Sequence, residues 1–275
     1  MAIHTQFRPH PIALALLALH GPIHAQTAPE QVTISSRPLP SPASVAGFGD
    51  TPLSRSPFQA VTLGNGTLAD SGASSLADIT RLDASIADAY NAPGYWSALT
   101  VRGFVLDNRF NFQRDGLAIN AETAISLENK ERIEVLKGTS GAQAGTSSPG
   151  GLANFVVKRP RGMDQAQVLI GWTDRGSIKA AADIERRLGE GDTGGLRLNA
   201  AVESLDPLTR GTRGERQLLA AAVRAKLGPG TLDGEIEWSH QSQPSVPAFS
   251  LLGSRLPPAA DIDPRTNLNN QRWSL

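Results

Sequence analysis

From Gln165 onward the chain alternates apolar and polar residues with a period of two. Ala166, Val168, Ile170 and Trp172 share one face, opposite Gln165 and Gln167. Ile178, Ala180, Ala182 and Ile184 oppose Lys179, Asp183, Glu185 and Arg187; Leu196, Leu198, Ala200 and Val202 oppose Arg197, Asn199 and Glu203. Leu219, Ala221, Val223, Ala225 and Leu227 then oppose Arg224 and Lys226, and Leu232, Ile236 and Trp238 oppose Asp233, Glu235 and Glu237. Such alternation marks strands whose two faces meet different solvents. Each segment has about the 9–11 residues that a tilted strand needs to cross a bilayer. A soluble sheet alternates too, but its apolar face calls for bulkier residues and a second sheet to cover it. Here the apolar face is rich in Ala, with Trp172 and Trp238 near strand ends, which suits lipid contact and interfacial anchoring. The opposite face carries charges of both signs, as a wet interior tolerates. Connections are short at Thr173–Gly176 and Gly189–Gly195, longer at Leu205–Arg216, tight at Gly228–Gly230 and very long from Gln241. Apart from the first, they follow the short-then-long rhythm of an outer-membrane barrel.

Upstream the pattern changes. Arg132–Leu136 and Leu152–Lys158 read as strands joined by a segment dense in Gly and small polar residues, with Pro149 fixing a turn. Leu76, Ile79, Leu82 and Ile86 fall at helical spacing and predict one or two short helices within Asp70–Ala89, capped by Ser74 or Ser75. Asn91–Gly94 breaks the chain before a strand over Ala98–Phe104, and a second strand over Phe110–Arg114 ends at the Asp115–Gly116 turn. Residues 58–160 therefore read as one compact α+β domain. Residues 26–57 are rich in Pro, Ser, Gly and Ala, the composition of a flexible segment. Within it, Val32, Thr33 and Ile34 sit in an alternating stretch that suits either a strand awaiting a partner's edge or an ordinary linker. At the start, Arg8, the apolar block Ile12–Leu19 and the small residue Ala25 predict an export signal over residues 1–25. That block is far shorter than the about 20 residues of a membrane helix.

Composition narrows the function classes. Across 275 residues the formal net charge is zero, which gives no footprint for nucleic acid. There is no cysteine, so thiolate metal sites, disulfides and cysteine nucleophiles are excluded. His4, His10, His20 and His24 fall in the signal, leaving His240 alone for catalysis or a metal. Gly145 and Gly150 have the spacing of a phosphate loop, but Gly151 stands where the lysine must be. Gly138–Gly141 lacks the offset of a nucleophile elbow. The chain is read as no enzyme, with no cofactor and no metal site.

Several motifs, in order and spacing, resemble those of the TonB-dependent outer-membrane ferric-siderophore receptors. They are Thr51–Ser54, Gly72–Asp78, Val101–Phe104, Asp115–Leu117, Glu131–Gly138, Ser148–Asn154, Lys158–Pro160 and Arg265–Trp273. The resemblance implies a plug domain over 58–160, followed over 164–275 by the first five strands and a long outer loop of an antiparallel transmembrane β-barrel. The full barrel would have roughly 22 strands. Five strands cannot close a barrel, so the chain is expected to be the N-terminal portion of a longer receptor. The resemblance also implies that Val32, Thr33 and Ile34 form a TonB box, and that TonB, energised by ExbB and ExbD, pulls on the plug. It implies that Arg102 and Lys137 lock the plug to carboxylates on the barrel wall. Tyr90, Tyr95, Trp96, Arg109 and Asn111, on loops Asp88–Ala98 and Leu106–Phe112, are the implied contacts for a ferric siderophore, whose iron arrives already chelated. The implied location is the Gram-negative outer membrane, in contact with its lipid. A plug-bearing fragment that binds without transporting, or a receptor for haem, cobalamin or oligosaccharide, is the alternative.

Overall fold

The computed structural model describes residues 59–90, 94, 96–138, 149–172, 176–189 and 194–246, with isolated positions between 258 and 267. The export signal, the Val32–Ile34 stretch and Tyr95 lie outside the described residues. Among the described residues no helix is long and apolar enough to cross a membrane.

The first domain is built on a mixed five-stranded sheet in the order β1-β7-β8-β5-β6. Its strands are β1 (Ala60–Gly64), β5 (Phe112–Arg114), β6 (Leu117–Ala118), β7 (Lys130–Lys137) and β8 (Gly151–Val157). β7 and β8 form an antiparallel pair, and the short β5 runs parallel to β8. Beside this sheet lies a small three-stranded one of β2 (Ile86–Asp88), β3 (Leu99–Val101) and β4 (Phe104–Val105). One core unites them: Ile79, Leu99, Val101, Phe112, Ile133, Val135 and Phe155 are all sealed from solvent. Phe112 and Phe155 stack with ring centroids 6.4 Å apart.

The helical expectation over Asp70–Ala89 is met only in part. Helix α1 (Asn65–Asp70) comes earlier, and a 3-10 helix covers Leu76–Arg81. Ser75 and Asp78 close a reciprocal capping box at its start. It stops because the Asp83 carboxylate accepts from the Ser85 amide (2.8 Å) and hydroxyl (2.6 Å), a local turn that competes with helix. Ile86 then begins β2 and buries its side chain from a strand instead. The strand expected over Ala98–Phe104 is a hairpin, β3 to β4, turning at Arg102 and Gly103 with φ of 54° and 83°. Asp115 and Gly116, with φ of 49° and 81°, turn β5 into β6 in the same way. Two consecutive positive φ angles match the twist of the flanking strands, which is why each pair ends in glycine.

The second part is a five-stranded antiparallel meander of β9 (Gln165–Trp172), β10 (Ile178–Arg187), β11 (Gly194–Leu205), β12 (Gly214–Leu227) and β13 (Gly230–Ser242). The register follows the period-two reading throughout, for example Ile184 opposite Leu198 and Ala221 opposite Ile236. Val168, Ile170, Trp172, Val202, Leu219, Ile236 and Trp238 all point away from the first domain and stay more than half exposed. The other face is turned inward, where Asp183, Glu185, Arg197, Asn199, Glu203 and Arg216 are buried. A sheet that exposes its hydrophobes and buries its charges is inside out for water, and right for lipid outside and a polar plug within.

Candidate functional site

The inward face of β9–β13 meets the first domain through three clusters of charge. Arg114, at the end of β5, reaches Glu235 at 2.7 Å and Glu237 at 2.8 Å on β13. Lys130, at the start of β7, is almost wholly enclosed and donates to Glu237 at 2.9 Å and to the Asn129 side-chain oxygen at 2.6 Å. Burial pushes the Lys130 ammonium below its ordinary range, against the pull of Glu237. Arg159 spans the gap from Asp115 (2.6 Å) to Glu235 (3.2 Å).

The second cluster lies on β10 and β11. Arg197 grips Asp183 with two bonds of 2.8 Å, and Lys158, just past β8, adds a third of 2.8 Å to the same carboxylate. The third centres on Arg216 of β12, which forks onto Glu128 of the first domain at 2.9 and 2.6 Å and onto Glu203 of β11 at 2.6 Å. Burial works to raise the Glu128 carboxyl, but its bonds to Arg216 prevail and hold it below the usual carboxylate range. Bidentate Arg–carboxylate pairs fix orientation as well as position.

The sequence-predicted residues fall in different places. Arg102 donates to the Gln59 side chain and to the Lys137 carbonyl oxygen at 3.3 Å. Lys137 bonds Asp83 at 2.6 Å. Both cations bond within the first domain, tying its β3–β4 hairpin and the turn after its 3-10 helix to the end of β7. The described wall pairs its charges instead chiefly with Arg114, Glu128, Lys130, Lys158 and Arg159. Those five were missed because each is an ordinary charge at a strand end until long-range pairing is known. The wall side was visible in advance as the charged face of each alternating strand.

Of the residues expected to contact a ligand, Trp96 lines a cavity of about 250 Å³ with Glu122, Ser126, Arg216, Gln241 and Gln243. This mouth lies at the strand ends opposite Pro160, which packs against Gly195 near the tight turns. Tyr90 is half exposed. Arg109 is exposed, paired with Asp107 at 3.0 Å and held 5.2 Å over the Phe110 ring. Its hydrogen bond keeps the Asp107 carboxyl below the ordinary range. Asn111 departs from expectation, being wholly buried. It donates to the Gly151 carbonyl oxygen at 2.7 Å and accepts from the Asp107 amide at 3.1 Å, so it braces the loop from within. The described residues hold no cluster of ligating side chains suited to a metal ion.

Comparison with known proteins gives this arrangement a context. Residues 52–152 match the family model described as TonB-dependent Receptor Plug Domain. The ferrichrome receptor FcuA of Yersinia enterocolitica is 28% identical over 151 residues, covering 52% of this chain and 19% of that receptor. The catecholate siderophore receptor Fiu of Escherichia coli K12 is 32% identical over 136 residues, covering 48% of this chain and 17% of its own length. The matched stretch is thus under a fifth of either relative. The crystal structure of Fiu in its open form superposes with a TM-score of 0.63 at 23% identity, over 76% of this chain and 31% of that one. At that identity the likeness speaks for the fold: a plug followed by the first strands of a wall.

Proposed function

We propose that this chain, whose residues 52–152 match the TonB-dependent receptor plug, is the plug and first wall strands of such an outer-membrane receptor and serves the energised uptake of ferric siderophores. The observation that carries the reading is the inverted sheet: five strands with hydrophobes outward and charges inward, clamped on a polar globule by three ion clusters. A globule so held obstructs the interior it occupies, so passage requires work on it. The segment Val32–Ile34 supplies the handle, adding as a strand to TonB, which ExbB and ExbD energise. Trp96 lines the mouth, and in this reading it meets the ligand together with Tyr90, Tyr95 and Arg109. A guanidinium suits an anionic ferric complex, and aromatic rings suit its organic shell. Asn111 supports that loop from beneath. Arg102 and Lys137 lock the plug further where the remaining wall offers carboxylates. Iron is cargo here, enclosed by its chelator, so no resident metal is needed. The names of the relatives, ferrichrome and catecholate siderophore receptors, support a siderophore over haem, cobalamin or oligosaccharide.

Val32→Pro removes a backbone donor from the proposed added strand. In cells depending on the whole receptor, the variant should bind ferric siderophore as the wild type does and lose energised uptake. Uptake at the wild-type rate would refute the assignment of the handle.

A further inference from the structure

Among the described residues of the inward face, Glu185 of β10 is the carboxylate whose work is done on backbone. It is fully buried. One of its oxygens accepts from the amide of Arg161 and, at 3.4 Å, from that of Met163; the other accepts from the Gln165 side chain at 3.2 Å, with Arg197 3.7 Å away. These residues are the linker that leads from β8 into β9. The same stretch is pinned on both sides. Arg197 donates to the Arg159 carbonyl oxygen at 3.2 Å, and the Asp164 carboxylate accepts from the Arg187 amide at 2.9 Å. Pro160 packs so closely on Gly195 that a Cβ there would stand 2.7 Å from the proline's own.

The outer edge of the plug's sheet is held less among the described residues. Among the described residues β1 is an edge strand that pairs with β7 alone. Helix α1 has no side-chain cap and leaves a cavity of about 450 Å³ between itself and β9–β10. Backbone seated on a buried carboxylate costs more to release than a strand paired along one side.

We infer that Glu185 is a positioning residue that anchors the plug-to-wall junction, so that residues 158–165 stay seated on β10 and β11 while the plug responds to pull from its β1 edge. The anchor goes beyond the uptake reading, and its transport arm rests on that reading. The linker offers its own probe, because trypsin cuts after Arg161 only if the backbone there leaves the wall.

In the purified whole receptor, Glu185→Ala should be cleaved after Arg161 at least about tenfold faster than wild type, the loss expected for hydrogen bonds to a charged group. Glu185→Gln keeps a carbonyl oxygen for both amides and should stay within about twofold of wild type. Equal cleavage of wild type and Glu185→Ala would overturn the anchor. For transport, Pro160→Cys with Gly195→Cys forms a disulfide after about 1 Å of adjustment, since its Cβ atoms need about 3.5–4.5 Å. That staple should leave siderophore uptake within about twofold of the reduced form. A staple of β1 to β7 through Val61→Cys and Val135→Cys, which are direct partners, should block uptake until reduced. Uptake blocked reversibly by the junction staple would show that the junction must open and overturn the inference. Failure of the unstapled receptor to transport at all would strike the uptake reading instead, and the protease comparison would still decide the anchor.

Discussion

Arg216 concentrates the chemistry of the plug–wall contact in one side chain. It stands between Glu128 and Glu203, and all three are sequestered from solvent. Truncating it leaves two carboxylates facing each other without their shared cation, so Arg216→Ala should destabilise the folded receptor by about 3–5 kcal/mol. Glu203→Gln should restore part of that loss in the Arg216→Ala background while destabilising the wild type, a coupling that a double-mutant cycle of thermal unfolding would measure. Arg216→Lys should also fall short, because an ammonium cannot serve both carboxylates through a planar fork. Asp83 makes a prediction in pH. Burial raises its carboxyl, but bonds from Lys137 and Ser85 outweigh this and leave it below the ordinary carboxylate range. Its contribution is therefore complete above the unfolded carboxylate value of about 3.9 and is lost as pH falls through the lower folded value. Asp83→Asn should lower stability near neutral pH and flatten the acid limb of a stability–pH curve. An acid limb unchanged in the variant would mean that the Lys137 bond carries no such linkage.

At the scale of elements, the strands are bilayer devices, and each face answers to a different penalty. Ile236 lies outward in the middle of β13, and Leu232 lies outward near the Gly228–Pro229 turn. Ile236→Lys should cost about 2–4 kcal/mol in a folding titration into lipid vesicles, and Leu232→Lys about 0–1 kcal/mol, following the depth profile of a bilayer. Equal costs at the two positions would contradict the strand's placement. These strands were legible from sequence because side-chain direction is fixed by parity, so Val168 and Ile170 declare their face with no knowledge of a partner. The 3-10 segment was less legible. Leu76, Ile79, Leu82 and Ile86 fit a helix by spacing, yet Asp83 and Ser85 bond each other locally and switch the chain to β2. The hairpin at Arg102–Gly103 was hidden for a similar reason: its turn places a non-glycine residue at positive φ, which composition alone does not announce. The ion clusters were legible on one side only. The charged parity of β10–β13 named Asp183, Glu203 and Glu237 as inward, but nothing local pairs Lys130 with a residue 107 positions away.

At the scale of the molecule, one division organises the rest. Hydrophobes that a soluble protein would hide form the outside of the sheet, and the charges that it would expose grip a globular plug within. Residues 52–152 match the plug model. The most direct measurement is the surroundings of spin labels in the whole receptor reconstituted in lipid vesicles. Labels on Ile170→Cys, Val202→Cys and Ile236→Cys should be relaxed by oxygen and shielded from a water-soluble nickel chelate, while a label on Gln241→Cys at the mouth should show the reverse. Labels on the first three positions as open to the chelate as Gln241→Cys would put that face in water, and the account of a wall around a plug would be wrong.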